Sequence, residues 1–556
     1  MIVDTPDLAD LTRETPDVTI IGGGPLGLNV ALALADRGQR VLVLESGGQT
    51  ATPQTRDLAA DELLTPDTHH APDITVARRL GGASNLWGGR CVPYDPIDFK
   101  ARPWLDLPDW PIEGAALEPY LQAACTALGA GGAVFSAPVP GLGSCPPEFE
   151  TDRLERWSDQ PRTHVLHGAR LAGDPNVTVA LGMTVTGMEG TEAGRITALR
   201  VHGPDGQAGS LPVRQVVLAA GGNASTRLLL NVQAAQPALF GGQDGPLGRY
   251  YMGHVNGQIA DIVFADTPLH EAMDYHVDDH GSYVRRRITP TPALQEAREL
   301  ANVAFWPVVP EISQTAHRSG PLSAVFLALS APGIGSRLIA EPIRLKHLGP
   351  RPWKWGAHLR NLLVDPLSTA TFVPWFLWHR RYAKHRIPGF FLRNKGRRYG
   401  LEFHSEHLPQ ADSRMTLSQA RDATGLRRLK IDFRFSQRDV DSVLAAHAAL
   451  EDWLQTAGLA RLEYRFAPQD RAAGVLSEAR HGNHQQGTIR MGGDPAAGVV
   501  DGWGTSFDLG NLHVVSTAIL PTSSQANPTL TALQLGLRLV AERLAPDTGT
   551  KEKAHA

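Results

Sequence analysis

Residues 17–48 read DVTIIGGGPLGLNVALALADRGQRVLVLESGG, and this stretch decides the fold. The apolar run Val18–Ile21 stops at a turn signal, the mark of a strand buried on both faces of a parallel sheet. Gly22, Gly24 and Gly27 then form G-x-G-x-x-G. Residues 25–37 carry helix-forming Leu and Ala, with an apolar stripe of Leu28, Leu32, Leu34 and Ala35, and Gly38 is a fitting helix stop. A second apolar strand, Val41–Leu44, ends in Glu45. Gly22 permits a tight turn, Gly24 lets backbone approach a pyrophosphate, and Gly27 lets helix and strand pack closely. The helix N-terminus offers unpaired N–H groups and the positive end of its dipole to phosphate. Glu45 lies 18 residues past Gly27, near the ~20 expected of a carboxylate that grips ribose hydroxyls. The glycines alone are a weak signal. With strand, helix, second strand and acid in register, they predict a dinucleotide site.

Composition sets the outer bounds. A chain of 556 residues exceeds a single core, so two or more lobes are expected. Apolar content of 42% and charged content of 20% are those of an ordinary soluble globule. A net charge of −4 gives no global attraction to nucleic acid. Cys91, Cys125 and Cys145 show neither metal-ligand spacing nor a disulfide framework, so no metal is expected. The acidic start, MIVDTPDLADLTRETPD, lacks an apolar signal core, and no run of about 18 apolar residues occurs. The expected compartment is the cytoplasm.

Moving outward, residues 1–16 read as a loose lead-in and 49–76 as a polar loop with solvated His69 and His70. Residues 77–99, ARRLGGASNLWGGRCVPYDPIDF, place Gly81, Gly82, Gly88 and Gly89 around Ser84, Asn85 and Trp87. Such a loop suits close packing on a flat polar ring system. A helix is expected near Glu118–Leu128, and strands from Val177. The strand Gln215–Gly222 feeds a helix at Ala224–Asn231. His254 reads as structural. Gln258–Val263, Ala301–Pro307 and Leu322–Leu329 suggest a largely antiparallel sheet. Residues 401–436 read as strand–turn–strand, with turns at Asp412–Ser413 and Gly425. The direction faced by His404, Glu406 and His407 is open. Asp439–Ala457 reads as an amphipathic helix.

Arg337–Arg398 holds fourteen Lys/Arg and two acids, interleaved with Trp and Phe. Two readings compete: an interfacial segment resting on an anionic membrane, or a substrate lid or oligomer contact whose aromatics pack internally. The second is the favoured expectation. The last strong block is HGNHQQGTIRMG, His481–Gly492. After it come the strand Leu512–Val515, the polar turn Pro521–Asn527 and a helix opened by Pro528 that runs to about Leu544.

These motifs resemble the glucose–methanol–choline (GMC) oxidoreductases, which are FAD enzymes, and within them the pyranose-oxidase-type branch. The resemblance rests on GG-x-S-x-x-W at 81–87, on H-x-x-G-T-x-x-M-G at His484–Gly492, and on Asn527–Pro528 within ANPTLTA. It implies an α/β fold: a Rossmann-like FAD-binding domain and a second α+β substrate domain on a largely antiparallel sheet. The implied FAD-binding domain takes 17–130, 177–260 and 480–546. The substrate domain takes 131–176 and 261–479, with a basic aromatic insertion at about 331–400, and 547–556 form a disordered tail. The implied FAD contacts are Gly22, Gly24, Pro25, Leu26, Gly27, Glu45, Ser46, Gly82, Ser84, Asn85, Trp87, Gly88, Gly89, Val185, Ala220, Gly221, Ala518, Asn527, Pro528 and Thr529. Some members tether FAD through a His just before the Trp. Leu86 stands there, so non-covalent FAD is expected.

The resemblance makes His484 the catalytic base and Asn527 its partner, with His481 outside the pair. Removing a proton from a CH–OH group needs a base titrating near working pH, and His fits. A carboxamide can hold the developing alkoxide without competing for the proton. The expected reaction is FAD-dependent oxidation of a sugar, glycoside or other polyol-type alcohol. O2, a quinone or a redox protein is the electron acceptor. A non-sugar alcohol dehydrogenase and a non-redox lyase are the alternatives, and a binding protein with a vestigial cofactor site is disfavoured. Peripheral membrane contact through 337–398 is a further expectation.

Overall fold

The computed structural model describes residues 1–339, 341–394 and 396–544. Its organising element is a parallel sheet of six strands. Their order is Ile2–Val3, Val177–Leu181, Val41–Glu45, Val18–Ile21, Gln215–Leu218 and Leu512–Val514. Val18–Ile21 and Val41–Glu45 are buried along their whole length, as continuous apolar runs require. From Val18–Ile21 the chain winds to one side, then returns to lay Gln215–Leu218 on the other. The strand order therefore reverses between these two neighbours. A crevice beyond their carboxyl ends is where such sheets bind ligands.

The helix Pro25–Ala35 is capped by Gly24 and buries Leu28, Val30, Ala31 and Leu34 completely. The helix Thr529–Leu539 packs against it and buries Leu530, Leu533 and Leu539. A second sheet is antiparallel, in the order Val303–Val308, Arg398–Glu406, His254–Phe264, Ala460–Tyr464. Its apolar face, with Val255, Phe305 and Phe403, packs with Val443 and Leu450 of the helix Gln437–Thr456. Arg102 links the two regions. Its fully buried guanidinium donates to Glu406 at 2.5 and 2.7 Å.

Five expectations are corrected. Residues 1–16 are no loose lead-in: Ile2 and Val3 add an edge strand beside Val179 and Ala180, and Leu8–Thr12 is a helix capped by Asp7. Leu322–Leu329 is not a strand but lies in the helix Gly320–Ser330, capped by Ser319. An apolar run this short carries no period that separates the two. Residues 401–436 are not one hairpin. Arg398–Glu406 joins the second sheet, whereas Arg414–Arg421 pairs with Arg427–Asp432 and onward with Glu62–Leu63. The turn of that true hairpin holds Gly425 at φ +85°. His69 is not solvated. It is fully buried against Tyr251 and Phe433, with Nε2 2.8 Å from the Tyr251 hydroxyl. The expected helix near Glu118–Leu128 is split into a 3₁₀ stretch, Gly114–Tyr120, and an α-helix, Leu121–Ala127. The expected tail, 547–556, lies outside the described residues.

Candidate active site

The crevice is an open cleft with about 990 Å³ of space between its walls, solvent at its mouth included. A second lobe of about 480 Å³ shares Gly22, Ser46, Arg78, Ala220 and Ala224 with it. The larger lobe begins at the first glycine turn, with Gly22, Gly24, Pro25, Leu26, Glu45 and Ser46. It passes Gly82, Ala220 and Gly221 and ends at His484, Pro528 and Thr529. The smaller lobe runs to Val185. Thirteen of the residues named from the sequence therefore line these two adjoining lobes.

Gly22 sits at φ +110°, and a Cβ there would stand 2.6 Å from the Ala219 carbonyl oxygen. A Cβ on Gly27 would stand 2.1 Å from the Gly22 carbonyl oxygen, so this glycine serves the helix–turn contact and not the cavity. Gly24 and Gly221 differ: a Cβ on either meets no protein atom within 4 Å. Their room faces the cavity. Glu45 accepts hydrogen bonds from the Gly23 and Gly47 N–H groups, both at 2.8 Å. Burial raises its pKa against those two bonds and the nearby Arg78.

Eight of the expected contacts do not line the cavity. Besides Gly27 they are Ser84, Asn85, Trp87, Gly88, Gly89, Ala518 and Asn527. Ser84 accepts from the Thr163 N–H, Asn85 donates to the Leu80 and Gly82 carbonyls, and Trp87 donates to the Pro161 carbonyl. Gly89, at φ +85°, abuts Ser158 and Pro161. These groups brace the loop that presents Gly82. At Ala518 it is the neighbour Thr517 that reaches the wall. Sequence reasoning missed Arg78, Asn483 and Gln485, which also line the space. Arg78 lies in the ARRLGG run, where a cation beside the glycine turn was a readable signal for a pyrophosphate partner.

At the far end the Asn527 Nδ2 lies 3.1 Å from His484 Nε2. The remaining His484 Nδ1 and Asn527 Oδ1 are buried without a hydrogen-bond partner. Burial, with Arg90 nearby, lowers the His484 pKa to about 3. His254 is completely buried, its ring centroid 4.8 Å from that of His484, and its Nδ1–H donates to the Ser524 carbonyl at 3.1 Å. His404 Nδ1–H donates to the Gln525 carbonyl at 2.6 Å. A carbonyl oxygen only accepts, so both rings carry their proton on Nδ1. One ring nitrogen from each of His254, His404 and His484 falls within 4.8 Å of the others. That spacing admits a cation as well as a hydroxyl group. His481 packs beside His484 at 5.1 Å between centroids. The open facing of these three residues is resolved: His404 meets this cluster, Glu406 turns to Arg102, and His407, just past the strand, reaches the Arg434 carbonyl.

FAD fits the space on three grounds internal to the protein: the unfilled room over Gly24 and Gly221, a buried ribose-type carboxylate, and orphaned polar atoms where the cavity ends. Two family models match, FAD dependent oxidoreductase over residues 17–291 and GMC oxidoreductase over residues 409–536. The chain is similar to 2-methyl-1,2-propanediol dehydrogenase of Mycolicibacterium austroafricanum, 24% identical over 95% of each chain. It is likewise similar to 6'''-hydroxyparomomycin C oxidase of Streptomyces lividus, 24% identical over 96% of this chain and 92% of the other. Among solved structures it shares the fold of pyridoxine 4-oxidase from Mesorbium loti. The TM-score is 0.52 and the identity 18%, over 95% of this chain and 99% of that one.

Proposed function

The chain belongs to the GMC oxidoreductases, FAD-dependent enzymes, and on that premise we propose that it oxidises a CH–OH group of a polyol-type alcohol, a sugar or glycoside, to a carbonyl. The observation that carries this reading is His484 at the end of the dinucleotide cavity, with Asn527 behind the wall and its Nδ2 3.1 Å from His484 Nε2. The names of the two full-length relatives, one a diol dehydrogenase and one an aminoglycoside oxidase, support a hydroxyl-rich substrate.

We assign the diphosphate to the N-terminus of Pro25–Ala35 and to Arg78, the ribose to Glu45, and the adenine to the Val185 end. Bound non-covalently, FAD supplies the acceptor for the substrate's hydride. The residues of the chain handle the proton. His484 takes it from the substrate hydroxyl, and Asn527 donates a hydrogen bond to the oxygen as charge grows there. With their Nδ1 protons tied to carbonyls, His254 and His404 are fixed in orientation beside the reacting oxygen. The electron acceptor in this reading is O2, a quinone or a redox protein. The domain division given above, with FAD-binding and substrate parts, belongs to the same proposal.

Anaerobic mixing of the holoenzyme with free sugars, glycosides and simple alcohols tests it. Bleaching of the flavin band by a polyol is expected, and a band that stays unbleached by every alcohol removes the proposal. His484→Ala should fold, retain FAD and lose ~10²–10⁴ in turnover. Near-normal turnover in that variant takes His484 out of the role.

A further inference from the structure

The segment between Ser319 and Ile387 takes no part in the cavity or the His484 cluster. Three of its helices, Gly320–Ser330, Trp355–Val364 and Pro366–Arg381, pack on one another. Some aromatics do turn inward. Phe326 stacks on His358 at 3.9 Å, and Phe372 packs with Phe376 and Phe390. Trp355–Val364 is nevertheless built with polar groups inside. His358 and Asn361 meet the Ser323 hydroxyl, both at 3.1 Å, and Asn361 also donates to the Thr315 carbonyl.

The outward face is apolar. Trp355, Leu359 and Leu363 recur at i, i+4 and i+8 along one stripe. Exposure peaks where the second and third helices meet: Leu363 is 82% exposed, Val364 65% and Leu367 81%. Trp375, Leu377, Trp378 and Tyr382 extend the face along the third helix. Among the described residues, twelve of the seventeen exposed large apolar side chains lie between Ile334 and Tyr382. Soluble surfaces carry such residues singly, so a cluster of this kind marks an interface.

The charges around it have one sign. Lys354, Arg360, Arg381 and Lys384 are exposed, and none has an ion-pair partner among the described residues. The one acid at the tip, Asp365, turns inward and accepts from the Gly320 N–H at 3.0 Å. No helix among the described residues is long and apolar enough to cross a membrane.

We propose that this helical pair seats on the surface of an anionic lipid bilayer. Leu363, Val364 and Leu367 reach the acyl boundary, Trp375 and Trp378 lie at headgroup depth, and the lysines and arginines face the lipid phosphates. Leu tips, interfacial Trp and unpaired cations are the parts of a segment that lies on a membrane without spanning it. A second copy of the chain fits less well, because two such faces would bring like charges together.

The test uses the full holoenzyme and sedimentation with vesicles of phosphatidylcholine, alone or mixed with phosphatidylglycerol. Binding to the mixed vesicles, weakened by salt and much lower on phosphatidylcholine alone, is the expected result. The exposed double substitution Leu363→Glu/Leu367→Glu should weaken partitioning by about tenfold or more, with turnover on a soluble substrate and soluble acceptor unchanged. Failure of the native protein to sediment with mixed vesicles overturns the proposal. So does equal sedimentation of the variant. Light scattering that shows a dimer broken by the same substitutions, with no vesicle binding, assigns the face to a second copy and overturns it as well.

Discussion

At the scale of single residues, the proposed chemistry turns on what burial does to His484. An imidazole with its pKa lowered to about 3 stays neutral through the physiological range, so it is always ready to accept a proton. The depression also makes it a weaker base, and in the proposed reaction the Asn527 amide, 3.1 Å from it, offsets this by holding the oxygen that loses the proton. The pH profile follows. kcat/KM reports the free enzyme's essential groups, so it should stay level as pH falls from about 8 to about 5. A base with an ordinary imidazole pKa would show an acid limb near 6.5. A measured limb there would falsify the buried-base assignment. The position of His484 was legible because H-x-x-G-T is a spaced pattern. His254 and His404 were not, since which face of a strand meets His484 is set by sheet pairing, which one sequence does not display.

Among the elements, the turn between Val18–Ile21 and Pro25–Ala35 was legible almost residue by residue, because glycine spacing, strand and helix all state the same geometry. Leu322–Leu329 was misread because a short apolar run fits a strand and a buried helix alike. The edge strand Ile2–Val3 is only two residues long, too short for any pattern. The glycines of the turn divide by role, and a pair of substitutions separates them. Gly27→Ala drives a Cβ to 2.1 Å from the Gly22 carbonyl oxygen, which the backbone must move to relieve. That variant should lose stability, read as a lower Tm of the apoprotein, and FAD with it. Gly24→Ala meets no protein atom within 4 Å. Its apoprotein Tm should match the native value while flavin absorbance after gel filtration falls sharply. Normal flavin retention by Gly24→Ala would show that no phosphate approaches that backbone.

For the molecule as a whole, the parallel and the antiparallel sheet were legible from the change of strand pattern after residue 260. Their contact was not, because Arg102–Glu406 joins residues three hundred positions apart with no local signature. The same burial that shapes the site recurs throughout the chain and sets its tolerance of acid. His69, His447 and His513 are pushed down to about 4 by burial, and His254 and His481 well below their ordinary value. In the unfolded chain each titrates near 6.5. As pH falls from about 6.5 towards 4, the unfolded state takes up protons that the folded state refuses, so stability falls. Asp61, raised to about 6 by burial, acts in the opposite sense, and so do Glu45 and Asp98. The imidazoles outnumber them, and the net slope keeps its sign. Each unmatched proton is worth about 1.4 kcal/mol per pH unit. Thermal unfolding of the holoenzyme should therefore show Tm dropping steadily between about pH 7 and pH 5. His447 offers the internal control. It stands edge-on to Phe305 and Phe403, at 5.0 and 5.1 Å between centroids, with its Nδ1–H given to the Val443 carbonyl of its own helix. Replacing it by leucine deletes one titrating group outside the cavity lining and keeps its surroundings apolar. In His447→Leu the Tm–pH slope should become shallower, whatever the change in Tm at neutral pH. A slope unchanged by that substitution, or a Tm that holds level into acid, would mean that these rings accept protons in the folded state.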